Sequence, residues 1–135
     1  MTLFIFVFVS AFLWIYMGIE GDREGYHYHY ESQVSGKKKN LHGLFLIQRT
    51  TLATIIIFLG FSPLMLLGLA FTFPFIHDGF YYIRREKLRP GTYPKGFTSN
   101  STTSTAKIEI PYEWRLVLFI IGIALWLTAI YLTLN

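Results

Sequence analysis

Residues 25–32 read Gly-Tyr-His-Tyr-His-Tyr-Glu-Ser, alternating tyrosine with histidine and closing on a carboxylate. In an extended segment successive side chains point to opposite faces. His27, His29 and Glu31 would then share one side, and Tyr26, Tyr28 and Tyr30 the other. Two imidazoles with one carboxylate form a set able to bind a divalent metal. The alternation equally describes a segment at a membrane surface, with tyrosine among headgroups and histidine toward water. That second reading is the expectation, because a short connector between glycines offers few partners to orient the free ring nitrogens. On a helix, Glu24 and His27 have the Glu-x-x-His spacing of di-iron bundles, but such sites need the motif twice, and it occurs once here.

His77 and Asp78 form a second ionisable pair, placed after a long apolar run and just beyond Pro74. Ionisable groups at membrane depth usually face a bundle interior or a wet cavity. The functional reading is therefore a proton or metal contact; the plainer one is a polar helix end, with Asp78 bonded to nearby backbone or to Arg84 or Arg85. Glu20 closes the first apolar block and Arg49 precedes the second. If those two ends share a membrane face, the two side chains can pair and pin helices together. Arg84, Arg85, Lys87 and Arg89 follow the second block closely, and anionic lipid headgroups, rather than nucleic acid, are the nearest partner for such a run.

Other chemistry has little support. Residues 98–106 are a small polar linker, and no nucleophile elbow or serine–lysine motif accompanies its hydroxyls. Asn100-Ser101-Thr102 fits the glycosylation pattern, which matters only in a luminal segment of a secretory pathway. The chain contains no cysteine, which excludes disulfides and thiolate metal sites. It also has no phosphate-binding loop, dinucleotide fingerprint or zinc-protease motif. No cofactor is expected, with a divalent ion at His27, His29 and Glu31 as the alternative.

The elements that must position these residues are set by charge distribution. The 135 residues are 53% hydrophobic and 15% charged, with a net charge of +4 and a mean hydropathy of +0.42. Residues 1–19, 50–77 and 116–135 carry no Asp, Glu, Lys or Arg apart from the chain termini. A transmembrane helix needs ~20 mostly apolar residues to cross a ~30 Å hydrocarbon layer, and three such blocks are more than a small soluble domain can bury. The expected fold is a single all-α integral membrane domain over 1–135. Its three transmembrane helices lie near 2–19, 51–76 and 116–134, with polar connectors at 20–50 and 77–115. The first block reads as an anchor, not a cleaved signal peptide: no basic residue precedes it and no small-residue cleavage site follows. The long second helix is expected to kink at Pro63. Coil, with a short strand near 26–31, is expected in the first connector, and a short strand or interfacial segment near 108–112 in the second.

Three spans place the chain ends on opposite sides. The second connector holds seven Lys or Arg against five in the first; the positive-inside rule then puts the N-terminus in the cytoplasm and the C-terminus outside. Small residues on the second and third spans, Gly68, Thr72 and Gly122 among them, suit close helix packing. Without a catalytic constellation, the leading functional reading is a non-catalytic membrane protein. It would act through assembly, as a homo-oligomer or as an accessory or scaffold subunit of a larger membrane complex. A holin-like pore is the first alternative. A metal- or proton-handling protein using His27, His29 and Glu31, or His77 and Asp78, is the second.

Overall fold

The computed structural model describes residues 3–30, 42–102 and 109–134. Four helices dominate: α1 (Leu3–Tyr30), α2 (His42–Phe58), α3 (Pro63–Leu88) and α4 (Tyr112–Leu134). Three of them, α1, α3 and α4, are long and apolar enough to cross a membrane, and α2 is a shorter apolar helix.

The expected helix over 51–76 is not continuous. α2 stops at Phe58 and α3 starts at Pro63, for reasons that are local. Gly60 takes a φ of +84°, a left-handed conformation that glycine adopts without a Cβ clash. Phe61 N–H then reaches back to the Ile56 carbonyl at 3.3 Å and Gly60 N–H to that of Ile57 at 2.9 Å, the paired bonds of a Schellman stop. Ser62 immediately caps the next helix, its hydroxyl accepting from Leu64 N–H at 3.2 Å. Pro63 occupies the first helical position, where its missing N–H costs nothing. Proline therefore starts a helix here instead of kinking one. Pro74, by contrast, lies inside α3, which continues through it to Leu88.

This hairpin fixes the directions of the helices. α1 and α3 run parallel: Phe6 meets Phe61, Trp14 bonds to Thr72, and Asp22 pairs with Arg84. α4 runs antiparallel to both, with Phe119 on Phe75 and Trp126 on Ser10. α2 is antiparallel to α1, as Arg23 lies over the Phe45 ring and Arg49 bonds to Glu20. One end of the bundle thus gathers the start of α1, the turn at 59–62 and the end of α4. The other gathers the end of α1, the start of α2, the end of α3 and the start of α4. The two polar connectors, expected on opposite sides, leave from one end, and the two chain ends approach the other.

α1 is also longer than expected. It continues through Glu20 to Tyr30, so residues 26–30 are helical and form neither coil nor strand. The glycines of "GIEGDREG" do not break the helix, because they are its contact face. Gly18, Gly21 and Gly25 recur three and four apart, the spacing of one helix side. A Cβ on Gly21 would collide with the His77 carbonyl oxygen, and one on Gly25 would sit 2.8 Å from that of Tyr81. α3 and α4 cross with similar closeness, where a Cβ on Gly122 would lie 2.6 Å from the Gly68 carbonyl. The apolar end is filled by Phe6, Leu13, Ile56, Phe61, Met65, Leu69 and Ala129. In the second connector Ser101–Thr102 (β1) pairs antiparallel with Glu109–Ile110 (β2), and Pro111 separates β2 from α4.

Candidate functional site

The polar end contains a buried ionic cluster drawn from three helices and the second connector. From α1 come Glu20 and Glu24, whose side chains are 1% and 8% exposed; from α3 comes His77, 7% exposed. His77 Nε2 lies 2.8 Å from Glu24 Oε2 and Nδ1 lies 2.9 Å from Asp78 Oδ1. Each ring nitrogen thus faces a carboxylate oxygen, and an imidazolium satisfies both at once, since an ionised carboxylate only accepts. The ring also stacks on Phe73, with centroids 4.5 Å apart. α2 contributes Arg49, whose Nε donates to Glu20 Oε1 at 3.0 Å; its Nη2 is 3.8 Å from Glu24 Oε2. The Arg49 guanidinium lies 4.4 Å from the centre of the Phe73 ring. On the far side of His77, Ser101 Oγ donates to Asp78 Oδ2 at 2.6 Å. A single chain, Arg49–Glu24–His77–Asp78–Ser101, therefore links α2, α1, α3 and the second connector.

The residues singled out in the sequence fall into different places. Glu20 and Arg49 are brought together. His77 and Asp78 are joined to each other and, through His77, to α1. His77 was expected at the opposite end from the first connector; the parallel run of α1 and α3 puts it beside the end of α1 instead. His27 and His29 sit in the last turn of α1. Two residues apart on a helix, at ~100° each, they point to different sides and do not share the face a strand would give them. Glu31 lies outside the described residues. Among the described residues, no group of three or more His, Asp or Glu side chains is placed to hold a metal ion.

The basic run divides in two. Arg84 makes a bidentate pair with Asp22 of α1, at 2.7 and 2.5 Å. Arg85 donates to the Tyr81 hydroxyl at 2.8 Å and lies over the Tyr81 and Tyr93 rings. Lys87 and Arg89 are exposed. Arg115, near the start of α4, is fully buried. It donates to the carbonyls of Phe97 and Ser99 and lies between the Tyr82 and Tyr112 rings, at 5.9 and 5.7 Å. By holding residues 97–99 it fixes the approach of Ser101 to Asp78. The one sequence signal for it is its position, a lone arginine inside the third apolar helix.

Toward the apolar end the cross-helix polar contacts are of another kind. Trp14 Nε1 donates to Thr72 Oγ1 at 3.0 Å, and Trp126 Nε1 donates to Ser10 Oγ at 2.7 Å. Each hydroxyl turns its own proton to a backbone carbonyl, Leu69 and Phe6 respectively, both at 2.8 Å. Comparison of the chain with protein-family models, with curated proteins and with solved structures finds no match.

Proposed function

We propose that the chain is a non-catalytic integral membrane protein that works through assembly, crossing the bilayer four times and presenting both of its ends on the non-cytoplasmic side. The observation that carries the topology is where the basic residues fall. All twelve Lys and Arg belong to residues 20–115 and none to the apolar blocks, and the helix directions bring both connectors to one end. The contest between five and seven becomes twelve against none. The positive-inside rule then favours that end as cytoplasmic. α2, with 17 residues, extends roughly 25 Å. It falls a little short of the ~30 Å hydrocarbon layer, a mismatch met by local thinning at modest cost.

The assembly role is supported by how the buried polar groups are used. The cluster carboxylates pair with Arg49 and His77, Asp22 pairs with Arg84, and Ser10 and Thr72 accept from indoles. These groups pin helices to one another. Beyond the cluster, the Ser10 and Thr72 hydroxyls spend their protons on backbone, which counts against a proton relay through them. The outward face is left to apolar side chains such as Phe4, Phe8, Leu46, Phe58, Ile120 and Leu132, which suits lipid and partner helices.

Reporter fusions test the topology. A cytoplasm-active reporter placed after Asn135, and another at the N-terminus, should both be silent, while one inserted in the 31–41 connector should be active. A bright C-terminal fusion would overturn it. Purification in mild detergent with mass spectrometry tests the function: a stoichiometric partner or a defined homo-oligomer is expected. Loss of membrane potential on induction would instead favour the pore.

A further inference from the structure

Helices α1 and α4 do not stay together along their length. Near the apolar end they touch through Trp126, against Phe6, Ser10 and Trp14. Toward the basic end they part, and α3 forms the floor between them. The result is a lateral cleft of about 680 Å³, walled by Trp14 and Gly18 of α1, Phe75 and Phe80 of α3, and Phe119 and Ile123 of α4. Its volume is within the ~300–1,000 Å³ range of small-molecule sites. Along α1 it runs from Trp14 to Asp22, roughly 12 Å at 1.5 Å per residue. That is most of one leaflet of a hydrocarbon layer ~30 Å thick.

Among the lining residues Asp22 alone is charged, and it stands at the basic end, bound to Arg84. Both side chains reach the surface, at 39% and 28% exposure. The cleft is therefore apolar along one leaflet and ends on a carboxylate at headgroup level, with the Arg84 guanidinium bound to that carboxylate beside the cleft. We propose that it holds one aminophospholipid. An acyl chain would lie against Phe75, Phe80 and Phe119, the primary ammonium would donate to Asp22, and the phosphodiester would accept from Arg84. The order of charges selects the headgroup. A quaternary ammonium has no N–H to give Asp22, and a headgroup with net negative charge would meet that carboxylate. A partner helix or a second copy of the chain would fill the apolar walls but has no need of the charge pair.

This inference rests on the membrane reading and can fail without it. The test is native mass spectrometry of the purified full chain in mild detergent doped with equal amounts of phosphatidylethanolamine and phosphatidylcholine. One retained phospholipid per chain is expected, with phosphatidylethanolamine favoured about tenfold, the worth of one charge-assisted hydrogen bond. Asp22→Asn should keep the lipid and lose the preference. Ile123→Trp, filling the cleft from α4, should lose the lipid. Ile15→Trp does the same from α1 at a position already 64% exposed, so folding is spared if the first variant aggregates. A folded, membrane-extracted protein that retains no phospholipid overturns the site and leaves the membrane reading standing. So does equal retention by the filled variants, absence of a headgroup preference, or a lipid-free dimer joined through the cleft.

Discussion

The two ends of the bundle hold the same helices together by different chemistry. At the polar end α1 and α3 meet through backbone, where Gly21 lies on the His77 carbonyl, and through charge, where Glu24 faces His77 and Asp22 grips Arg84. At the apolar end the same two helices meet through rings, Phe6 on Phe61 and Trp14 reaching Thr72. In lipid the difference has an energetic meaning. Apolar side chains gain little by leaving hydrocarbon for a helix interface, so the apolar end is held by packing and by two neutral indole–hydroxyl bonds. A buried charge that loses its partner has no such indifference. Stability should therefore be concentrated at the polar end, although most of the apolar side chains are elsewhere.

The sharpest way to break that comparison is to remove the hub. His77→Leu leaves Glu24 and Asp78 facing an apolar side chain, and stripping one partner from a buried pair costs about 3–5 kcal/mol. Phe6→Ala, at a fully buried position, should cost less than the ~3–5 kcal/mol of a soluble core, because in a membrane the lost side chain carries a packing term with little hydrophobic transfer term. Unfolding in mixed micelles, followed by tryptophan fluorescence, ranks the two. Equal or reversed costs would remove the contrast between the ends.

Exchange of charge sharpens it further. Glu20→Arg or Arg49→Glu alone places like charges together at a site 1% exposed on the Glu20 side, and each should lose a similar ~3 kcal/mol. The double exchange should recover more than half of that. Recovery is incomplete because Arg49 also serves Glu24 and the Phe73 ring. If the double variant is no better than either single one, the pair does not join α2 to α1. Gly21→Ala should follow at about 1–3 kcal/mol, the cost of overpacking, since its Cβ meets a backbone carbonyl that cannot rotate away. Gly43→Ala, in open space on α2, is the control and should be neutral or slightly stabilising.

What was legible in the sequence follows the range of each interaction. The three charge-free blocks were legible because hydropathy over ~20 residues needs no tertiary knowledge. Each overlaps one of the long apolar helices, which run past the block ends at residues 19, 77 and 116. The Glu20–Arg49 contact needed only that consecutive helices turn back on each other. The break at 59–62 was not legible because the apolar run is continuous across it, so Gly60, Ser62 and Pro63 suit a kink within one helix as well as a stop between two. In the structure they are a helix stop, a cap and a helix start. The extension of α1 past residue 19 was hidden by the charges that follow, although the three-and-four spacing of Gly18, Gly21 and Gly25 marks a helical contact face. The pairing of His77 with Glu24, 53 positions apart, was beyond reach for a different reason. It depends on α1 and α3 running parallel, and that follows from the hairpin. The break at 59–62 thus displaced the candidate site.

The smallest expected effect is the most discriminating for the apolar end. Trp126→Phe keeps most of the ring that packs on Phe6 and Trp14 but deletes the N–H given to Ser10. In soluble cores an orphaned buried hydroxyl costs ~1–3 kcal/mol. Here the Ser10 hydroxyl keeps its own bond to the Phe6 carbonyl and loses only an acceptor role. Cross-helix hydrogen bonds in membranes average about 0.6 kcal/mol and reach ~1.7 at most, so Trp126→Phe should fall near the lower figure. Ser10→Ala should cost somewhat more, since it also removes the bond to the Phe6 carbonyl and leaves the indole N–H unpaired, and the double variant should cost less than the sum of the two. A double variant costing the sum of the two would mean that each side chain acts through separate contacts. The apolar end would then be held by ring packing without the indole–hydroxyl bond, and the contrast with the polar end would widen.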